Sequence, residues 1–419
     1  MTAVTHRAGS TGAWSIRDFR RLWFGSAVSW FGSEIGELAL PLLAIITLSA
    51  SAEEVGLLRT AQFLPFLLVT LPLGMLVDRR SRKPLLIGAD LGRFVLIGSI
   101  PVAVWVGMTD MGALYAIVFA AGVLTVLYQL ADFAFVPSVV PEHQLVDANG
   151  KLAAAQSANE IAGKGVGGIM VGTLTAPVAV LVDAVSYLVS AVNLWRVRTD
   201  EPPRAAQRSS PWQEVTAGLR VALRSRYVRP LLGEATTFNF FDEIFILGLL
   251  LYTVRDLGLG PAHIGLVFTA GGLGSFLGAW FGARTTGRFG YGRVLLITLI
   301  LGNTAPVAVL LVDGSVGFAL AVLMSLFLVM GIGIGVANVH AVTLRQTTVA
   351  AELRGRVNAA YRLISWGAIP AGAALGGVLA ASLGAQTAMT IGALGMPLAT
   401  VWVAASAVPR LAAIADAHE

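Results

Sequence analysis

Long apolar stretches separated by short polar segments recur along the whole chain. Twelve of them approach the ~20 residues that an α-helix needs to cross about 30 Å of hydrocarbon. The predicted spans are 22–48, 55–77, 84–107, 111–136, 152–174, 177–195, 230–254, 262–284, 293–312, 315–341, 357–381 and 385–408. These runs are too long and too continuously apolar for the ~10-residue alternating strands of a membrane barrel. The pattern therefore predicts an all-α polytopic membrane protein with twelve transmembrane helices.

Positive charges are distributed unevenly among the loops between these spans. Of the 29 lysines and arginines, 24 fall on the side of the N-terminus, and only Arg255 falls in a loop on the other side. Short cytoplasmic loops carry an excess of Lys and Arg, so this distribution predicts that both termini are cytoplasmic. The first dozen residues contain no apolar core, and no cleavable signal peptide is expected. We therefore expect a multi-pass protein of the bacterial cytoplasmic (inner) membrane.

The chain shows signs of an internal duplication. The basic, proline-containing segment 196–229 is interpreted as a cytoplasmic linker between two six-helix bundles, 1–195 and 230–419. Short matches at an offset of 209 or 210 pair VGLL at 55–58 with IGLV at 264–267, and Gly167 with Gly377. Two pseudo-symmetric six-helix halves are the arrangement expected of a secondary transporter built from repeats.

Composition narrows the possible functions. Hydrophobic residues make up 56% of the chain and charged residues 13%, whereas ordinary globular proteins carry about 25% charge. The net charge of +5 comes from loops on one side of the predicted membrane, so no nucleic-acid partner is expected. The absence of cysteine excludes disulfides, thiolate catalysis and cysteine-ligated metal sites.

The loop between the second and third spans contains the segment GMLVDRRSRK at 74–83. Snorkelling side chains explain its arginines and lysine, but they do not explain Gly74 and Asp78. The segment resembles the G-x-x-x-D-R-x-G-R-[RK] signature of the major facilitator superfamily, with Ser81 in place of the second glycine. The resemblance implies the major facilitator fold and a cytoplasmic gate held by ion pairs. The predicted gate residues are Asp78, Arg79, Arg82, Lys83, Arg354 and Arg356.

A second resemblance points to exporters within that superfamily. The segment PSVVPEHQLVDAN at 137–149 resembles a P…P-x-x-x-L-x-x-A-N loop, and ELRGRV at 352–357 is its counterpart in the second half. That loop pattern is found in the bacterial branch that includes enterobactin exporters and macrolide efflux pumps. The resemblance implies efflux of a small molecule.

The fifth span contains the glycine-rich segment GKGVGG at 163–168. Its glycines match a G-x-G-x-x-G dinucleotide fingerprint, but that fingerprint requires a preceding strand, which an apolar span does not provide. The segment resembles instead the G-P-x-x-G-G motif of drug antiporters, with Lys164 in place of the proline. Glu160 lies one turn earlier and is placed for an i,i+4 pair with Lys164. Two interpretations of these residues are left open. They form a neutralised pair with a structural role, or they take part in transport.

Ionisable residues within the spans are the main candidates for transport chemistry. Each costs ~2.5–3.5 kcal/mol on insertion scales and usually faces a cavity or a partner. The spans contain nine acids and four bases. Asp90 and Arg93 are interpreted as a local pair, Glu234 as a group near the cytoplasm, and His340 as a packing residue. The sequence predicts no partner for Asp183.

The resemblance also implies which spans surround a central cavity, namely the first, fourth, seventh and tenth. Glu34 and Glu243 differ by 209 positions and are expected to be pseudo-symmetric. The predicted substrate- or proton-binding residues are Glu34, Glu37, Gln129, Asp132, Glu160, Lys164, Asn239, Asp242, Glu243 and Asn338.

No catalytic motif or phosphate loop occurs in the chain, so no enzymatic activity, cofactor or metal is expected. The sequence predicts a monomeric, proton-coupled antiporter that exports an amphipathic small molecule, such as a drug, macrolide or siderophore. Rocking of the two halves would expose the cavity alternately to the two sides of the bilayer. Sodium coupling, a proton-coupled nutrient importer, and a transport-inactive membrane sensor or partner protein are the alternatives.

Overall fold

A computed structural model of the chain describes residues 12–199, 211–312 and 315–417, without the side chains of 211–215, 283–289 and 351. The described residues form helices and no strand. The α-helices are α1 (Arg17–Leu42), α2 (Ala52–Leu68), α3 (Thr70–Arg79), α4 (Arg82–Trp105), α5 (Met111–Val139), α6 (Leu145–Thr173), α7 (Ala176–Arg196), α8 (Pro211–Arg224), α9 (Val228–Arg255), α10 (Pro261–Phe289), α11 (Tyr291–Thr304), α12 (Val316–Thr348), α13 (Arg354–Leu383), α14 (Ala385–Gly395) and α15 (Pro397–Ala404).

Each of the twelve predicted spans coincides with helix, although several helices are interrupted. The second span consists of α2 and α3, which are bent by 52° relative to each other. A π-helical turn (Leu43–Thr47) extends α1, and a 3-10 segment (Ala305–Leu311) extends α11. The all-α, multi-pass architecture predicted from the apolar runs is confirmed.

One predicted span is less apolar than the others. In the described residues, ten helical segments are long and apolar enough to cross a membrane, and the bent pair α2–α3 raises the number to eleven. Helix α6 is 29 residues long but is absent from this set, because alanine, glycine and polar residues such as Lys164 lower its hydropathy. Its length and its packing between α1 and α10 identify it as part of the bundle.

The predicted linker 196–229 contains a helix that the sequence interpretation missed. Helix α8 packs against α13, and Gly218 faces the carbonyl oxygen of Arg356, where a Cβ atom would lie at 2.2 Å. Residues 200–210 of the predicted linker lie outside the described residues. The linker is therefore in part a packed helix rather than only a connection.

Both described ends of the chain lie at the same end of the bundle. Helices α1, α4, α6, α9, α11 and α13 all begin there, close to the clustered arginines and lysines, and we call it the basic end. The amide of Ala13 donates a hydrogen bond to Asp147 Oδ2 at 2.7 Å, and the amide of Tyr291 donates to the carbonyl of Ala412 at 3.0 Å. Which side of the membrane this end faces stays a prediction.

Glycine contacts demonstrate the internal duplication in three dimensions. A Cβ atom on Gly56 would lie 2.7 Å from Gly377 Cα, and one on Gly265 would lie 2.9 Å from Gly168 Cα. Both pairs join the two halves, and an offset of 209 residues converts one pair into the other. Small residues let helix backbones approach this closely. The predicted match of Gly167 with Gly377 was wrong by one residue, because Gly168 is the partner in this symmetry.

The same offset relates two carboxylates. A Cβ atom on Gly163 would lie 2.4 Å from Glu34 Cβ, and one on Gly372 would lie 3.2 Å from Glu243 Cβ. Gly372 follows Gly163 by 209 residues, as Glu243 follows Glu34. The expected pseudo-symmetry of Glu34 and Glu243 is confirmed by this packing.

Candidate functional site

A cavity of about 1000 Å³ lies between the two halves. Its walls reach the basic end through Asn149 and Gln156 of α6, Arg345 of α12 and Asn358 of α13. Towards the opposite end, the glycine contacts between α2 and α13 and between α6 and α10 bring the halves together. The cavity is therefore open at the basic end and closed at the opposite end.

The cavity wall is both acidic and aromatic. Its charged lining residues are the acids Glu34, Glu37, Asp132, Glu160, Asp183 and Glu234 and the bases Arg93, Arg345 and Arg362. Its aromatic lining residues are Trp30, Phe63, Phe66, Tyr128, Phe133, Tyr187, Phe238, Tyr361 and Trp366. Carboxylates that outnumber cations, together with many rings, suit a partly apolar ligand that carries positive charge.

The structure brings most of the predicted binding residues to this wall. The lining residues among them are Glu34, Glu37, Gln129, Asp132, Glu160, Asn239 and Asn338. Lys164, Asp242 and Glu243 are not part of the wall. Lys164 and Glu243 take part in ion pairs, and Asp242 Oδ1 is buried without a hydrogen-bond partner in the described part of the chain.

Glu34, Glu37 and Lys164 form a carboxylate–lysine cluster beside the cavity. Lys164 Nζ lies 3.1 Å from Glu37 Oε1 and 3.7 Å from Glu34 Oε2. It also lies 5.6 Å from the centroid of the Phe268 ring, so the cluster contacts the second half as well. The two carboxylates share one ammonium group, which leaves the cluster with an excess negative charge when both acids are ionised.

The predicted Glu160–Lys164 pair was wrong. Glu160 Oε1 accepts a hydrogen bond from Gln156 Nε2 at 3.4 Å, and the ion pairs of Lys164 go to α1 instead. The reason is the close approach of α1 and α6, because Gly163 has no side chain to hold Glu34 away. Carboxylates from the neighbouring helix therefore reach Lys164.

An ion pair that sequence reasoning missed joins the two halves. Arg59 of α2 donates from Nε to Glu243 Oε1 at 2.7 Å and from Nη2 to Glu243 Oε2 at 3.0 Å. Both side chains are only 7% exposed, and the guanidinium lies 4.8 Å from the centroid of the Phe63 ring. Bidentate pairs of this kind fix geometry as well as charge. The available signal was an arginine within a predicted span that has no acidic residue three or four positions away in its own helix.

A second buried cluster forms one wall of the N-terminal half. The expected ion pair between Asp90 and Arg93 is present, and Arg93 lies 4.4 Å from the Tyr128 ring and 4.2 Å from the Tyr187 ring. Asp183 packs directly against Gly36 of α1, where a Cβ atom would lie 2.1 Å from Asp183 Oδ2. The position of Asp183 thus depends on a glycine that the sequence analysis did not single out.

The remaining polar residues divide between the cavity and the helix packing. Glu234 lines the cavity and accepts a hydrogen bond from Asn303 Nδ2 at 3.3 Å, so it is not simply solvated. Asn239 Nδ2 donates to the carbonyl of Ser365 at 2.8 Å. His340 is buried and contacts the Val336 carbonyl through Nδ1 at 2.7 Å, as expected of a packing residue.

Arg362 and Gln129 connect the two halves near the open end of the cavity. Arg362 Nη2 donates to Gln129 Oε1 at 3.3 Å, and its guanidinium lies 4.6 Å from the Trp366 ring. Gln129 belongs to α5 and Arg362 to α13. Next to it, the Phe66 ring of α2 lies 5.2 Å from the Trp366 ring of α13, so the halves also contact each other through these rings.

In the described part of the chain, Asp78 forms no ion pair with the other predicted gate residues. Asp78 and Arg79 are exposed at the end of α3, and the ion pairs of the described residues include none between Asp78 and Arg354 or Arg356. Arg354 Nε donates instead to the Val349 carbonyl at 3.1 Å, and Lys83 Nζ donates to the Val197 carbonyl at 2.6 Å. The open cavity explains this separation, because a gate between the halves requires the basic end to close. The gating role of all six predicted residues stays a prediction.

Comparison with known proteins agrees with these features. A model of the transmembrane secretion effector family matches residues 9–418. The chain is 26% identical over 403 residues to the multidrug efflux pump Tap of Mycolicibacterium fortuitum, covering 93% of this chain and 95% of Tap. It is 24% identical over 378 residues to macrolide efflux protein A of Streptococcus pyogenes, covering 88% and 91% of the two chains.

A solved structure shares the fold. A bacterial homologue of the iron transporter ferroportin in its inward-facing state superimposes with a TM-score of 0.71 and 16% sequence identity. The match covers 93% of this chain and 98% of the homologue. At this identity the likeness establishes the common architecture of the helices.

Proposed function

We propose that this chain, which belongs to the transmembrane secretion effector family of major facilitator transporters, exports an amphipathic small molecule in exchange for protons. Membership of the family makes it a membrane transporter rather than an enzyme. The names of Tap and macrolide efflux protein A support export over import. The direction of transport, the coupling to protons and the class of substrate are our proposals.

The acidic and aromatic cavity is the observation that carries the proposed substrate class. Its volume of about 1000 Å³ is at the upper end of the ~300–1000 Å³ found for small-molecule sites. Rings such as Phe63, Phe66 and Trp366 can bury apolar surface, and the excess of carboxylates attracts a cation. A drug-sized amphipathic cation fits both properties.

The carboxylate–lysine cluster supports the proposed proton coupling. Glu34 and Glu37 line the cavity, while Lys164 supplies a single positive charge to both. One carboxylate can therefore bind a proton, or release it when a cationic substrate arrives, without leaving a buried charge unpaired. Competition between proton and cation for the same negative charge would produce antiport. Asp132 and Asp242 are further candidates for the same exchange.

Alternating access would follow from rocking of the halves about their contacts. The structure has the cavity open at the basic end, which the charge distribution predicts to be cytoplasmic. Closing that end would bring α3 towards α13 and allow Asp78 to pair with Arg354 or Arg356. The same motion would separate Arg59 from Glu243 and open the opposite end. The transporter would complete this cycle as a monomer.

The alternatives make different predictions about the cavity and about direction. A transport-inactive sensor or partner protein would not need a large cavity lined by ionisable groups, so the observed cavity disfavours it. A nutrient importer shares the fold and differs in the direction of coupled movement. Sodium coupling differs in the ion that drives transport.

The test is transport of ethidium and of a macrolide by the full-length protein in proteoliposomes with an imposed proton or sodium gradient. Vesicles with an acidic interior should accumulate substrate from the side of the basic end. The double variant Glu34→Gln/Glu37→Gln should lower the gradient-driven rate at least about tenfold. This corresponds to a free-energy difference of about 1.4 kcal/mol. Glu160→Gln is the control, because Glu160 lines the same cavity without an ion pair to Lys164.

Two results would contradict the proton mechanism. One is movement of substrate by the wild-type protein that does not depend on the proton gradient. The other is unimpaired coupling after neutralisation of Glu34, Glu37, Asp132, Asp242 and Glu243 together. Accumulation driven only in the reverse direction would indicate an importer, and a response to sodium alone would indicate sodium coupling.

A further inference from the structure

We propose that the N-terminal half binds the headgroup of an anionic phospholipid in a basic pocket at the basic end. The pocket has a volume of about 460 Å³. It is formed by Arg21 near the start of α1, by Lys83 at the start of α4, and by residues 195–199 at and after the end of α7. It is separate from the central cavity and shares no lining residue with it.

The end of α7 fixes the positions of the cations. Arg21 Nη1 donates to the carbonyl of Arg196 at 2.6 Å, and Lys83 Nζ donates to the carbonyl of Val197 at 2.6 Å. Carbonyls at the C-terminal end of a helix lack intrahelical donors and carry partial negative charge, so they attract both side chains. Side chains from α1 and α4 therefore converge on a single turn of the chain.

The described residues that line the pocket have a net positive charge. Arg196 and Arg198 are exposed and add two cations to Arg21 and Lys83. Asp18, beside the pocket, forms an ion pair with Arg21 at 2.9 Å. A group of arginines and a lysine around one concavity matches a phosphate oxyanion, which accepts charge-assisted hydrogen bonds from several donors.

Apolar faces leading to the pocket identify the ligand as a lipid. On α4 the exposed side chains Leu91, Val95 and Val102 lie on one face, and on α7 the exposed face includes Val192 and Trp195. Helices α4 and α7 pack against each other, so both faces border the same stretch of hydrocarbon.

Trp195 marks the level of the headgroups. Its side chain is 72% exposed and lines the pocket, and tryptophan is enriched at the membrane–water interface. A phospholipid whose acyl chains lie along α4 and α7 would therefore place its phosphate among the four cations. Because the charged residues in the described lining are all cations, a headgroup with net negative charge fits better than a zwitterionic one.

Native mass spectrometry of the full-length protein in detergent tests this site. Phosphatidylglycerol and phosphatidylethanolamine with identical acyl chains are titrated separately, and we expect tighter binding of phosphatidylglycerol. A basic residue near a membrane contributes about 1 kcal/mol of attraction to anionic lipid, or about fivefold in affinity. The double variant Arg196→Gln/Arg198→Gln should therefore bind phosphatidylglycerol about 25-fold more weakly.

Matched controls separate a specific site from general electrostatics and from misfolding. Arg220→Gln/Arg224→Gln removes the same charge from exposed positions of α8, and we expect it to bind phosphatidylglycerol as the wild type does. Arg196→Lys/Arg198→Lys keeps the charge and should retain most of the affinity. Inorganic phosphate and glycerophosphoglycerol are tested in parallel, and we expect neither to compete at concentrations where the intact lipid binds.

Three outcomes would overturn the proposal. They are equal affinity for the two lipids, an equal loss of affinity in the pocket variant and the α8 variant, and displacement of the lipid by inorganic phosphate at comparable concentration. The last result would show that the pocket binds the free anion rather than a lipid.

Discussion

Lys164 illustrates how much of the proposed chemistry depends on one side chain. It contacts two carboxylates of α1, Glu37 at 3.1 Å and Glu34 at 3.7 Å. Methionine is unbranched and only one atom shorter than lysine, and it would remove the charge, leaving the carboxylates without their cation. We expect Lys164→Met to lower gradient-driven transport at least about tenfold in proteoliposomes, or about 1.4 kcal/mol.

Two controls accompany this variant, one at position 164 itself and one at another position of the same helix. Lys164→Arg keeps the positive charge and should retain a large part of the rate. Glu160→Gln removes a carboxylate of the same cavity that is hydrogen-bonded to Gln156 and has no ion pair to Lys164, so it should lower the rate less than Lys164→Met does. A wild-type rate in Lys164→Met would show that the ammonium has no part in coupling.

Asp147 provides a pH-dependent contact at the basic end. Hydrogen bonds from Lys151 and from the Ala13 amide hold the pKa of Asp147 below its usual value. A carboxyl with a lowered pKa stabilises the folded state above its unfolded pKa of about 3.9, and this stabilisation is lost as pH falls through the lower folded pKa. The contact should therefore persist throughout the range from about pH 5 to pH 8.

Hydrogen exchange of the Ala13 amide measures this contact. After correction for the intrinsic rate, protection in the wild type should not change between about pH 5 and pH 8, and Asp147→Ala should reduce it several-fold. Glu142→Ala, which removes an exposed acid from the turn before α6, is the control. Equal protection in Asp147→Ala and the wild type would contradict the anchoring role.

Single residues show where sequence reasoning succeeds and where it stops. The equivalence of Glu34 and Glu243 follows from a constant offset, which is a property of the sequence. The partner of Lys164 does not, because it depends on how closely α1 approaches α6 at Gly163. The Arg59–Glu243 pair joins residues 184 positions apart, and no spacing rule within one helix can reveal it.

At the scale of elements, the glycine contacts of α6 make a quantitative prediction. A Cβ atom on Gly168 would lie 2.5 Å from the Pro261 carbonyl oxygen and 2.6 Å from Gly265 Cα, which are backbone atoms that cannot rotate away. We expect Gly168→Ala to push α6 and α10 apart and to reduce transport several-fold. The protein should still fold, because the contact is confined to the interface between the halves.

Gly172 is the matched control for Gly168, one turn further along α6. The nearest atom to a Cβ on Gly172 would be the Ala262 nitrogen at 3.4 Å, an ordinary contact. Gly172→Ala should therefore transport at nearly the wild-type rate. Both variants are compared by substrate uptake and by thermal unfolding of the purified protein. Equal uptake by the two variants would show that the close approach at Gly168 is not needed.

Helices as elements could be predicted from the apolar runs, whereas hydropathy alone does not predict their irregularities. The 52° bend between α2 and α3 falls inside a continuous apolar stretch, so hydropathy gives no sign of it. Helix α8 was missed because segment 196–229 was judged by its charge and prolines, whereas its contact with α13 depends on a glycine at 218. The low hydropathy of α6 reflects the glycines and polar groups that let it contact α1 and α10.

At the scale of the whole molecule, the sequence predicted the duplication but not the conformation. Twelve spans, the linker position and the basic loops are all compatible with a cavity open at either end. Which end is open depends on whether the contacts between the halves are stronger at the basic end or at the opposite end. In this structure the opposite end is held by glycine packing and by Arg59–Glu243, while Asp78 and Arg354 are apart at the basic end.

The Arg59–Glu243 pair should therefore control the equilibrium between the two open states. Arg59→Gln leaves Glu243 buried without its cation, a change that costs about 3–5 kcal/mol in buried pairs. Opening the opposite end would relieve this cost by hydrating Glu243. We expect the variant to populate the state that is open at the opposite end several-fold more than the wild type does.

Spin labels can measure this shift directly, because the chain contains no cysteine. Labels on cysteines introduced at Met108, which is 78% exposed, and at the exposed Gln386 report the separation of the halves at the opposite end. The distance should increase in Arg59→Gln and increase less in Arg59→Gln/Glu243→Gln, since the second change removes the unpaired charge.

Arg255→Gln distinguishes loss of a buried ion pair from loss of any contact between the halves. Arg255 also connects the halves at this end, but it donates to the Ala50 carbonyl, so its removal leaves no charged partner behind. A smaller change in distance than in Arg59→Gln is therefore expected. If the two single variants gave the same distances, the closed end would depend on the number of contacts rather than on the pairing of buried charge. If neither variant differed from the wild type, the glycine contacts alone would be sufficient to hold that end closed.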